Sequence, residues 1–185
     1  MGGIYILIGT RFINFSKKLG IGFIGALITG VICGFLLRII MRIIALAYPS
    51  LGSGVSIQGV ISLIGTGISF CLASSILYTY VAPYLPNHWV MKGSIFGIIN
   101  LVFFGIPILN NPDLQGDQAI LTIILFSCVF ITGGLLLAYT CWKISTFSQN
   151  RNHNKIWHVS FIVFVIPALV SLVQNISGVL IEVLG

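Results

Sequence analysis

Apolar residues run along this chain in five long blocks, separated by short breaks rich in proline, glycine or polar residues. The first block covers residues 19–47 and ends at Pro49 and Gly52-Ser53-Gly54. The second, 56–82, stops at Pro83, and Pro86-Asn87-His88-Trp89 forms a turn closed by an aromatic. The third, 89–109, holds Pro107 near its end and leads into Asn110-Asn111-Pro112-Asp113 and Gly116-Asp117, a polar loop. The fourth, 119–142, is followed by the most polar stretch of the protein, Lys143 to Lys155. The fifth, 156–184, carries Pro167, where a kink is expected. Residues 1–18 are read as an interfacial segment ahead of the first block.

Each block matches or exceeds the roughly 20 residues a helix needs to cross ~30 Å of hydrocarbon. Barrel strands are ~10 residues long and alternate in polarity, whereas these blocks are apolar all round. Lipid offers the backbone no hydrogen bonds, so such a run must be helical. The expected architecture is all-α: one transmembrane domain, 1–185, of five membrane-spanning helices with no internal repeat.

Composition agrees. Only 6% of residues are charged and mean hydropathy is +1.10, against roughly 25% charged in soluble domains. The net charge of +6 does not mark a nucleic-acid binder, because the basic residues are scattered at block ends. They sort by side instead. Arg11, Lys17, Lys18, Lys92, Lys143, Arg151 and Lys155 fall on one side of a five-span arrangement, and Asp113, Asp117 and Glu182 on the other. The positive-inside rule then places the N-terminus in the cytoplasm and the C-terminus outside, in a cell membrane. Trp89, Trp142 and Trp157 fall at the cytoplasmic interface, as an aromatic belt would.

Helix packing in lipid depends on close backbone approach through small residues. Block one carries Gly22, Ala26, Gly30 and Gly34, with Gly25 and Thr29 beside them. Block two offers Gly65, Ser69 and Ala73, block three Gly93 and Gly97, block four Gly134 and Ala138. The cysteines Cys33, Cys71, Cys128 and Cys141 lie inside blocks, at depths that do not match between neighbours, and read as soft packing residues.

Arg38 and Arg42 stand one turn apart near the outer end of block one. A charge at mid-bilayer costs at least ~2.5 kcal/mol, so something must offset them. Three readings fit: snorkelling to outer head groups; an ion pair and hydrogen bonds with Glu182, Gln174, Asn175, Gln58 and Ser62; or a site for a lipophilic anion held by paired guanidiniums. The stretch Gly30-x-x-x-Gly34-x-x-x-Arg38-x-x-Met41-Arg42-x-x-Ala45-Leu46, with the glycine-rich turn and second span after it, resembles a group of small bacterial polytopic membrane proteins with no assigned function. The resemblance covers about the first three spans. It implies a bacterial plasma membrane or a related internal membrane, and no activity.

Catalysis needs a nucleophile with a base, or paired acids, and neither is present as a motif. His88, His153 and His158 all lie in or beside loops, so no haem, metal or other cofactor is expected. The first expectation is a non-catalytic membrane protein that binds a lipid or lipophilic anion, or assists assembly of a membrane complex, with a homo-oligomer or another membrane protein as partner. The second is a small transporter or channel subunit acting as an oligomer, with Asn100, Gln174 and Asn175 as its deep polar groups. The third is a lipid-modifying enzyme using the outer polar cluster.

Overall fold

The computed structural model describes residues 2–48, 57–110, 118–149 and 154–184, with side chains at 13–48, 57–105, 118–148 and 155–181. Within them the chain is all-α. The helices are α1 (Gly2–Ala47), α2 (Ile57–Val81), α3 (Trp89–Asn110), α4 (Ala119–Gln149) and α5 (Asn154–Leu184), with a 3₁₀ turn at Ala82–Tyr84 after α2. Four stretches are long and apolar enough to cross a membrane: Ile13–Ala47, Ile57–Tyr84, Ala119–Ser148 and Lys155–Ile181. The apolar stretch of α3, Trp89–Gly105, is shorter. Large apolar side chains such as Ile61, Ile98, Val102, Ile120, Ile162, Ile166 and Val173 face outward. Water would penalise that coat, and hydrocarbon accepts it.

The break at Pro83 falls where the sequence marks it; those expected at Pro49 to Gly54 and at Asn111 to Asp117 lie outside the described residues, and two helices are longer than expected. Residues 2–18 are not a separate segment: α1 continues through them as one helix of 46 residues, about 69 Å long at ~1.5 Å per residue. It therefore overruns the hydrocarbon or tilts within it. The fourth helix continues past Trp142 to Gln149. Pro167 lies inside α5, which runs through it without a break.

The helix α1 is the hub. It packs against α2, α4 and α5, while α3 packs mainly on α4. Phe23, Ala26 and Thr29 on α1 are fully buried, as are Phe96 and Ala138. The Tyr78 and Phe96 rings meet edge to face at 5.1 Å.

Two of the interfaces use one device. On α1, Gly30 and Gly34 straddle Gly67 of α2: a Cβ on Gly67 would lie 2.5 Å from Gly30 O and 2.9 Å from Gly34 N. On α3, Gly93 and Gly97 straddle Gly134 of α4, where a Cβ would lie 2.6 Å from Gly93 O and 2.6 Å from Gly97 N. Each pair is an antiparallel hairpin whose backbones touch because no side chain intervenes. The expectation of no internal repeat is corrected to this extent: α1–α2 and α3–α4 repeat a Gly-x-x-x-Gly helix clasping a single glycine. The small-residue row expected on α2 is corrected too. Gly65 faces open space, because Gly67, two residues and about 200° further round the helix, is the one turned toward α1.

Hydroxyls supply further interhelical polar contacts among the described residues. Ser69 Oγ and Ser171 Oγ are 2.7 Å apart, joining α2 to α5. Ser160 Oγ donates to Gly20 O at 3.1 Å, joining α5 to α1. Ser16 Oγ lies 2.9 Å from His158 Nδ1. Others, such as Thr79 on Ser75 O and Ser75 on Leu72 O, turn back on their own helix, the usual way a hydroxyl is satisfied in lipid.

Candidate functional site: a cavity between the hairpins

Close packing within each hairpin leaves a gap between them. A cavity of about 380 Å³ opens there, lined by all five helices. Such a volume is at the lower end of ligand pockets and equals about a dozen water volumes. Its walls are mostly apolar. Leu37, Met41, Phe70, Phe104, Phe126, Phe130 and Val179 line it, and Phe70 meets Phe104 and Phe130 edge to face at 5.2 and 5.4 Å.

Polar side chains interrupt this lining, and two of them are deeply buried. Asn100 reaches the cavity from α3, one turn beyond Gly97, and Ser74 reaches it from α2, two turns beyond Gly67. Asn100 is 4% exposed and Ser74 2%. Asn100 Oδ1 and Ser74 Oγ are both buried without a hydrogen-bond partner. Leaving such a group unpaired costs about 1–3 kcal/mol. A carbonyl oxygen accepts and a hydroxyl both donates and accepts, so a hydroxyl is a group chemically able to pair with either. Further along, Gln174 and Asn175 of α5 also line the cavity. Asn175 Nδ2 donates to Ser171 O at 2.7 Å, which leaves its Oδ1 as a further acceptor.

The six residues singled out from sequence are therefore divided. Gln174 and Asn175 belong to the cavity. Arg38 and Arg42 do not line it, although their neighbours Leu37 and Met41 do: one residue further along α1 turns each guanidinium stem about 100° away. Arg38 is half-buried and Arg42 exposed. Gln58 is exposed at the start of α2. The side chain of Glu182, like the loop holding Asp113 and Asp117, lies outside the described residues, and with it the ion pair expected for Arg42.

Two further expectations change. Cys33 and Cys71 do meet: both are buried, both line the cavity, and their thiols lie close enough to interact. The hairpin register set by Gly67 between Gly30 and Gly34 brings them together, which counting depth from block ends did not capture. Trp157 is not part of an exposed belt. It is buried at 7% exposure, because Gly20 of α1 lets the backbone of Trp157 approach closely. Trp89 and Trp142 do pair, with rings stacked at 6.4 Å and 19°.

Asn100 was visible in the sequence as a deep polar residue. Ser74 was not, because a serine in an apolar helix usually bonds its own backbone, as the adjacent Ser75 does. Among the described residues the lining contains two thiols and no imidazole, carboxylate or ammonium. Such a set can hold a polar group by hydrogen bonds but offers no base to activate a nucleophile. Compared with protein-family models, curated proteins and solved structures, the chain matches none.

Proposed function

We propose that this is a five-span membrane protein, N-terminus in the cytoplasm and C-terminus outside, that binds an uncharged amphiphile in the cavity between its two hairpins. The observation that carries the reading is the pair of buried, unpartnered groups, Asn100 Oδ1 and Ser74 Oγ, on two residues that line a cavity with aromatic walls. The ligand class follows from the lining. Among the described residues no cation lines it, so an anionic head would be left uncompensated in a medium of low dielectric. A lipid alcohol or a similar hydroxyl-bearing chain is matched at both ends: hydroxyl to Asn100 and Ser74, hydrocarbon to the phenylalanines. The protein acts as a binder rather than a catalyst on this reading. Support for the orientation comes from the sidedness of the seven basic residues.

The test is mass spectrometry of lipids released from protein purified in mild detergent. Wild type retains a neutral hydroxyl lipid at near-stoichiometric level. Val129→Trp, which places a ring in the cavity lining, loses it, and Asn100→Leu reduces it. Equal neutral-lipid content in all three proteins would refute the binding site.

A further inference from the structure

A second cleft lies at the opposite end of the bundle from Arg42. It measures about 390 Å³ and forms where the Lys18 region of α1, the end of α2, the start of α3 and the last turns of α4 converge. Two ammonium groups line it, Lys18 and Lys92, the first exposed and the second half-buried. Beside them are Asn87 and Ser145, whose side chains can donate, and Thr79, whose hydroxyl proton is already given to Ser75 O. Its floor and wall are apolar and aromatic, with Tyr78, Trp89 and Trp142.

Among the described residues no carboxylate lines this cleft. No aspartate or glutamate occurs in α1, α2, α3 or α4 or in the connection 82–88, which together supply the cleft. The start of α3 adds to the effect. Lys92 N–H is the amide that closes its first turn, donating to His88 O at 3.0 Å. The amides of Trp89, Val90 and Met91 precede it and carry the positive end of the helix dipole. Two lysines, a helix N-terminus, neutral hydrogen-bonding groups and no carboxylate together make a cradle for an oxyanion.

We infer that this cleft binds a phosphate group, and that the phosphate is the head group of an anionic phospholipid. The lysines and Asn87 take the phosphate oxygens, and Trp89, Trp142 and Tyr78 lie against the glycerol and the first acyl carbons, as interfacial aromatics do. Basic pockets between spanning helices hold anionic head groups in this way. The inference rests on the chain being embedded in a membrane and is independent of the central cavity, so either site can fail without the other.

The experiment is a binding titration, read by native mass spectrometry and thermal stabilisation, on detergent-purified full-length protein. Short-chain phosphatidylglycerol, phosphatidylcholine of the same chain length, and inorganic phosphate are the three probes. Wild type is expected to prefer phosphatidylglycerol over phosphatidylcholine, with the preference falling as salt rises, a readout that needs no variant. The variant Lys18→Gln loses about fivefold in that preference and Lys18→Gln/Lys92→Gln about thirtyfold. Arg38→Gln/Arg42→Gln, at the far end, keeps it. Competition by inorganic phosphate at concentrations comparable to the lipid would assign the anion to the aqueous phase and retain the phosphate site. Equal binding of the two lipids by wild type would overturn the proposal. So would an unchanged preference in the double lysine variant, which would mean the lysines only cap the free carbonyls at the end of α2.

Discussion

Adding one methyl group at Gly134 tests the hairpin geometry directly. A Cβ there would sit 2.6 Å from three backbone atoms of α3: Gly93 O, Gly97 Cα and Gly97 N. Ordinary carbon contacts lie near 3.5–4.0 Å, so the helices must part by about 1 Å, and a gap of that size forfeits about a quarter to a half of each contact across the crossing. Rotation cannot relieve the clash, because the opposing atoms are backbone. Overpacking of this kind costs about 1–3 kcal/mol. A gain of up to about 1 kcal/mol from replacing glycine by alanine in a helix offsets part of it. The internal control is Gly65→Ala on α2, where a Cβ meets nothing within 4 Å, so only the helix-propensity gain remains. Reversible denaturation in mixed micelles, followed by circular dichroism, should place Gly134→Ala below wild type and Gly65→Ala at or above it. If the two alanine variants prove equally stable, the clasp around Gly134 is not the contact that holds α3 to α4.

Gly67→Ala should behave like Gly134→Ala in the same assay, since its Cβ would lie 2.5 Å from Gly30 O; a neutral effect would show that the two hairpins are not built alike. Ser171→Ala removes the 2.7 Å bond to Ser69 and should cost about 0.6 kcal/mol, a typical value between membrane helices, read as a shift in the same denaturation midpoint. In lipid-free detergent Asn100→Leu should raise stability by about 1 kcal/mol, because it deletes an unpaired buried acceptor; a large loss would mean the Oδ1 has a partner. Asn87→Cys and Asp113→Cys should label with a membrane-impermeant maleimide from opposite faces of sealed vesicles, and labelling of both from one face would rule out the proposed threading.

The helices themselves are legible in the sequence because lipid removes ambiguity: an apolar run of that length has to satisfy its own backbone. Pro83 therefore marks a break that the structure shares, whereas the polar stretch after residue 142 does not end α4, which runs on for two more turns to Gln149. Azimuth and register are not legible in the same way. A helix that is apolar on every face gives no periodicity to say which face turns inward, so Gly65 and Gly67 look equivalent until α1 is placed against them. The same gap hid the meeting of Cys33 with Cys71 and the burial of Trp157. Asn100, Gln174 and Asn175 stood out because polar side chains are rare and costly at such depth. The arginines stood out more, yet they sit beside the cavity rather than in it, since one residue of offset on a helix separates lining from flank.

The glycine clasps have a mechanical consequence. Inside each hairpin, main chain rests on main chain, and neither helix can slide or roll without a steric clash. Across the seam between the hairpins, contacts such as Phe70 on Phe104 and Phe130 run through rings with free torsions. Rigid arms joined along a compliant hinge line would admit a guest by spreading apart as whole units, with α5 tied to the first of them through Ser171 on Ser69 and Ser160 on Gly20.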